Sequence, residues 1–159
     1  MTHTDLALPV LQSIADNLKL PAPALLPKAA TRVAAAEMVR GVLGLSEANP
    51  AVMVKTPAGD VLLRNEYIDH IVEKEPDARE RFANFILPTL QDPFEVWLTM
   101  YDDGRPRRRY IGLYQTSKYD ILVIVRVLTD GSVLWNLMHA DARRLNRQRV
   151  GKLLFGKLK

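Results

Sequence analysis

Between Val96 and Met138 the chain writes four short apolar runs in succession, rich in β-branched and aromatic residues, each closed by a tight polar turn. VWLTMY (96–101) ends at DDGRPR, RRYIGLYQ (108–115) at TSKY, and DILVIVRVL (120–128) at TDG, before SVLWNLM (132–138). Connections this short cannot hold a crossover helix, so consecutive strands must lie antiparallel as a meander. Asp-Gly between two β-rich runs is the strongest short hairpin signal. Everything else in the chain has to pack on, or extend, that sheet.

Upstream, helical spacing dominates. Residues 5–20 predict an amphipathic helix with Leu8, Leu11, Ile14, Ala15 and Leu18 on one face, Pro9 being tolerable only in its first turn. Pro21, Pro23 and Pro27 then make a stiff connector. An Ala-rich helix over 28–44 stops near Gly44, and SEANP is a turn. AVMVKTPAGDVLLR reads as a hairpin around Thr56-Pro57-Ala58-Gly59. Ile68, Ile71 and Val72 form one short helical stripe, and Phe82, Phe85, Ile86 and Leu90 a longer one, with Pro76 between. A final short helix starts near Asp141. The expected fold class is α+β: N-terminal helices, a twisted four-stranded antiparallel sheet and a short C-terminal helix. Two regions follow, a helical 1–49 and a sheet domain over 50–159.

Charge is strongly polarised along the chain. From Gly104 to Lys159 there are 13 Lys or Arg against three acids, a net of +10, whereas residues 1–103 carry nine bases against 15 acids, a net of −6. A basic tract of this kind suits a polyanion, because Lys and Arg gain affinity by releasing phosphate counterions. The same surface would also suit an acidic protein. With no cysteine, there is no disulfide, no thiol nucleophile and no Cys-based zinc site. His3, His70 and His139 have no metal-ligand spacing, and no run of 18 apolar residues exists to span a bilayer. Neither a metal nor a cofactor is expected.

Several residues stand out against that background. His70 closes RNEYIDH on a helix, with Arg79 and Arg81 not far along the chain, and an imidazole there can work as general acid or base near neutral pH. The commoner role of such a residue is a half-exposed helix position bonded to Asp69 or Glu66. His139 ends the last strand, and His3 falls in a terminus expected to be disordered. In GRPRRRY, alternation sends Arg108 and Tyr110 to one face and Arg109 and Ile111 to the other, so arginine must reach the open face of the sheet. Guanidinium forks grip phosphate bidentately; on an edge strand they also deter aggregation. Arg126 interrupts ILVIVRVL, where a charge is costly unless paired or solvated. Asn136 is a similar intrusion in VLWNLM. A three-residue TDG loop would put Arg126 and Asn136 on one face, a two-residue Asp-Gly turn on opposite faces. Trp97, Tyr110, Tyr114 and Trp135 could stack on bases or pack in the core. ARRLNRQRVGKLLFGKLK, with seven bases and no acid, reads as a phosphate-binding helix and tail docked by Leu145, Val150, Leu153, Leu154 and Phe155.

The succession LRNEYIDHIVEK, ILPTLQDPFEVW, RRYIGLY, DILVIVRVLTDGSVLWNLM and LNRQRVGKLLF resembles a phage-associated nuclease family of the barnase–EndoU–colicin–RelE-like superfamily, over about residues 50–156. The resemblance implies one or two helices on a twisted antiparallel sheet, with an RNA-cleaving site on the open face. It implies a metal-independent endoribonuclease, a toxin or phage effector that leaves a 2′,3′-cyclic phosphate. By position, His70 matches the family's helix histidine and Arg108 or Arg109 its strand base, with Arg126 beside them. Asn136 stands where Thr or Ser is usual. Trp97, Tyr110, Arg107 and Arg147 become the substrate-binding candidates. The implied partners are RNA, with tRNA as one target, and an acidic immunity or antitoxin protein. The implied location is the cytoplasm of a host or target bacterium, reached by phage or a secretion system. The alternative reading is a non-catalytic nucleic-acid-binding or phage structural adaptor protein.

Overall fold

The computed structural model describes residues 1–129 and 131–159. Residues 1–20 are not a helix. Ala7 takes a positive φ of 55° and Pro9 lacks a donor, so only two 3-10 turns form, Leu11–Ser13 and Asp16–Leu18, before β1 (Leu20–Pro21). Leu8, Leu11 and Ile14 still bury their side chains, now from an irregular strap laid on the sheet. The second expected helix exists but starts later. α1 (Arg32–Leu43) is capped by the Thr31 hydroxyl, which accepts from the Ala34 N–H, and is stopped by Gly44 at φ 75°. The anticipated hairpin is β2 (Ala51–Val54) and β3 (Val61–Arg64).

Two helical stretches follow, α2 (Ile68–Val72) and a 3-10 run Arg79–Phe85 that continues into α3 (Ile86–Gln91). Then come β4 (Glu95–Met100), β5 (Pro106–Gly112), β6 (Tyr114–Gln115, the parallel partner of β1), β7 (Asp120–Leu128) and β8 (Gly131–Ala140). The C-terminal region holds only a one-turn α4 (Ala142–Leu145), whose cap is Asp141, and then another strand, β9 (Lys152–Gly156).

The four-strand meander is thus the centre of a seven-stranded mixed sheet, ordered β2-β3-β8-β7-β5-β4-β9. Two additions account for the difference. The β2–β3 hairpin joins β8 through a single parallel pair, Leu62 with Val133. At the other edge, the expected basic tail pairs with β4 as β9 instead. A short apolar run such as LLF carries no period that separates helix from strand. Gly151 decides it: at φ 112° the chain passes so near β4 that a Cβ would lie 2.1 Å from the Leu98 carbonyl oxygen.

One face of the sheet carries α1, α2, the 3-10 run and α3 on a continuous apolar core. The strap and α4 cover the other face, where Leu11, Ile14 and Leu145 meet Trp97, Ile111 and Leu122. Residues 1–49 therefore share both cores with the sheet. A buried ion pair fastens the second cover. Arg149 Nε and Nη2 reach the two Glu95 carboxylate oxygens at 2.7 Å each, while Nη1 donates to the Pro9 carbonyl at 2.8 Å. The Leu11 N–H donates to Asn146 Oδ1 at 3.0 Å. Beyond Ile124 the cover ends and that face of the sheet is open. Among the described residues, no helix is long and apolar enough to cross a membrane.

Candidate active site

The open face is laid out by strand register. Cross-strand partners share a face, and Arg107 pairs with Arg126, Arg109 with Ile124, and Ile124 with Asn136. Arg107, Arg109 and Arg126 therefore project together. Leu128 pairs with Gly131, so Gly131 opens β8 rather than belonging to an Asp-Gly turn; Asp130 lies outside the described residues. A bulge between Ile124 and Val125 then restores the register that the turn would have lost. It leaves Trp135 as the extra residue and breaks the alternation, so Trp135 and Asn136 both serve this region.

His70 comes to the same place from α2. Ile68, Ile71 and Val72 are buried and hold the short helix on the core, so His70 and Glu73 face outward. The imidazole lies on the Trp135 indole, ring centroids 4.2 Å apart. The Arg126 guanidinium carbon sits 4.3 Å from the centroid of the same indole, and Tyr67 meets its edge at 5.6 Å. Trp135 is thus the plate on which acid–base and cationic groups are mounted.

Arg79 completes the cluster. Only 5% exposed, it donates from Nη1 to Asn136 Oδ1 and from Nη2 to Asp77 Oδ2 at 3.1 Å. Because a guanidinium cannot accept, the Asn136 amide orientation is fixed, and the Leu137 N–H also donates to Oδ1 at 2.8 Å. The Asn136 Nδ2 remains as donor.

His70 titrates below its ordinary value. Burial is the main cause, Arg79 and Arg126 push the same way, and Glu73 opposes them. In the neutral form that this shift favours, a proton on Nδ1 faces Glu73 Oε1 at 3.1 Å. The Nε2 lone pair is left free to accept a proton. This is the protonation state of a general base, with a carboxylate fixing the tautomer.

The other expected residues are scattered. Arg109 is on the open face, its Nε on the Tyr101 hydroxyl at 3.0 Å and Nη1 on the Gln148 carbonyl at 3.1 Å. Arg108 points to the opposite face, beneath the β2–β3 turn, within 3.4 Å of where a Gly59 Cβ would stand. Its guanidinium packs there rather than with Arg107, Arg109 and Arg126. Trp97 and Tyr110 are fully buried and offer no stacking face. The Trp97 Nε1 donates to Glu95 at 2.9 Å, and the Tyr110 hydroxyl shares a hydrogen bond with Thr56 at 2.7 Å. Tyr114 is buried too. Arg147 is exposed on the 3-10 turn after α4, outside the cluster. His139 rests on Phe82 at 4.1 Å, with Nε2 against the Asp77 carbonyl at 2.8 Å. His3 is ordered and half-buried rather than part of a loose terminus, its carbonyl accepting from the Leu8 N–H at 2.9 Å.

A family model described as phage-Barnase-EndoU-ColicinE5/D-RelE like nuclease 2 matches residues 40–156. The chain belongs to that family. The match takes in α2, the whole meander and β9, and so every group around Trp135. No curated protein and no solved structure matches this chain.

Proposed function

We propose that this nuclease-family chain is an endoribonuclease that cleaves by attack of the RNA 2′-hydroxyl on the adjacent phosphate. What supports this most is the meeting of a carboxylate-oriented His70 with two guanidiniums, Arg79 and Arg126, around Trp135 beside the open face of a basic sheet. In this reading His70 Nε2 takes the 2′-hydroxyl proton, the 2′-oxygen bonds to phosphorus, and the bond to the 5′-oxygen breaks. The 5′-oxygen leaves as a hydroxyl with a proton from solvent. Arg126 and Arg79 offset the charge that builds on the phosphorane, the larger electrostatic part of catalysis. The Asn136 Nδ2 orients the scissile phosphate. No step draws on a metal, and the substrate's own hydroxyl is the nucleophile. The family's phage association fits an effector acting in a bacterial cytoplasm, held in check by an acidic inhibitor that covers the basic face.

Product ends test the chemistry. Mass spectrometry of a cleaved RNA oligonucleotide is expected to show 2′,3′-cyclic phosphate and 5′-hydroxyl termini. Termini carrying a 5′-phosphate would contradict it.

A further inference from the structure

At the far rim of the open face, Tyr101 is clasped by two arginines that face the site. The Arg107 guanidinium carbon lies 4.0 Å from the Tyr101 ring centroid, and Arg109 lies 4.9 Å from it while also donating to its hydroxyl. Arg107 Nε is buried and has no hydrogen-bond partner among the described residues. The clasp borders an open cleft of about 530 Å³ that also includes Asp102 and Asp103. Asp103 is already engaged, by Arg107 Nη2 at 3.0 Å and the Arg105 N–H at 2.9 Å.

Resting on the reading that RNA occupies the open face, we infer that the Tyr101–Arg107–Arg109 clasp is a second nucleotide subsite for a single-stranded RNA. The Arg107 guanidinium lies on the Tyr101 ring, and that stack gives a base a flat platform on which to lie. The two aspartates make the cleft unsuited to a phosphate and suited to a base, whose amino groups need acceptors. Phosphate belongs beside the cleft. There Arg109 has only neutral acceptors for partners, and Arg126 lies on an indole with no ion pair among the described residues. Arg126 is the direct cross-strand partner of Arg107, and with Arg107 held by Asp103 at 3.0 Å it is Arg126 and Arg109 that have charge to offer a phosphate. From β4 to β8 is three strand spacings, roughly 14 Å, so this base sits a few nucleotides from the one at His70. A duplex could not present its bases to the clasp.

Length dependence is the test. Binding of 2′-O-methyl dinucleotides and hexanucleotides, which cannot be cleaved by this route, is compared in wild type, Tyr101→Ala and Tyr101→Phe, alongside cleavage of the matching RNAs. Loss of one stacked base should weaken hexamer binding about tenfold in Tyr101→Ala. Dinucleotide binding and cleavage should not change, and Tyr101→Phe should restore most of the hexamer affinity. Equal losses on both lengths, or none on the hexamer, would overturn the subsite while leaving the nuclease reading intact if RNA is still cut. Wild type that binds the hexamer no better than the dinucleotide would also overturn it. Absence of RNA cleavage with the length effect preserved would instead overturn the nuclease reading alone.

Discussion

Arg149→Met would strip the Glu95 carboxylate of its only ionic partner among the described residues while leaving it 1% exposed in the sheet. The lone pairs would keep one donor, the Trp97 indole N–H. Breaking one side of a buried ion pair costs about 3–5 kcal/mol, against a total of about 5–15 kcal/mol for a domain. The tie from Arg149 to the Pro9 carbonyl goes as well, so the strap loosens. With a urea m-value of about 2 kcal/mol/M, the midpoint should fall by about 2 M. Equilibrium unfolding followed by tryptophan fluorescence reads this, since Trp97 bonds to Glu95 directly. In Glu95→Leu/Arg149→Met both charges are gone, and most of the loss should be recovered. A single variant within about 1 kcal/mol of wild type would refute this reasoning. So would a double variant no more stable than the single. Function is linked to the same lock through Gln148, whose carbonyl holds Arg109.

Removing the general base in His70→Ala should lower kcat for RNA by about 10²–10⁴-fold, measured on a fluorescent oligonucleotide. Because the folded-state pKa of His70 is depressed, activity should rise with pH along a limb lying below the ordinary histidine value of 6.5. Glu73→Gln removes the influence that raises it and should move that limb to lower pH; Arg79→Met should move it up. The same shift bears on stability. The neutral ring's contribution is complete above the unfolded value and is lost as pH falls through the lower folded one, which urea titrations between pH 7 and 4.5 can follow. Arg126→Ala should reduce kcat/KM at least tenfold without changing the urea midpoint, as its guanidinium lies half-exposed on an indole. Gly151→Ala should cost more than about 2 kcal/mol, from the positive φ together with the clash at the Leu98 carbonyl, and should release β9. Calorimetry would show it.

The meander was readable because its signals are local: alternation, short connections and turn residues state each strand independently. The seventh strand was not, since LLF carries no period and only the approach of Gly151 to Leu98 commits it to β4. The strap departs from the expected helix for the opposite reason. Leu8, Leu11 and Ile14 keep helical spacing, yet they reach the core from turns, since Pro9 lacks a donor and the backbone at Ala7 takes a positive φ that ends any helical run. At the site, Arg126 and Asn136 were visible as polar intrusions in apolar runs and His70 as a histidine on a helix, and the bulge at Trp135 brings the two strand residues onto one face. In the sequence Trp135 is one of several aromatics on the strands, and only the burial of Trp97 and Tyr110 sets it apart. Arg79 showed in the sequence only as one of two arginines not far along the chain from His70; its contact with Asn136 spans 57 residues. Contacts of that range are set by topology, which no local pattern encodes.

Incubation of matched RNA and DNA oligonucleotides in EDTA, with wild type and His70→Ala side by side, tests the central claim most directly. Cleavage of RNA alone, abolished in the variant, is the expected result, because only RNA supplies the 2′-hydroxyl from which His70 takes its proton. Cleavage of the DNA strand, or RNA cleavage undiminished in His70→Ala, would contradict it.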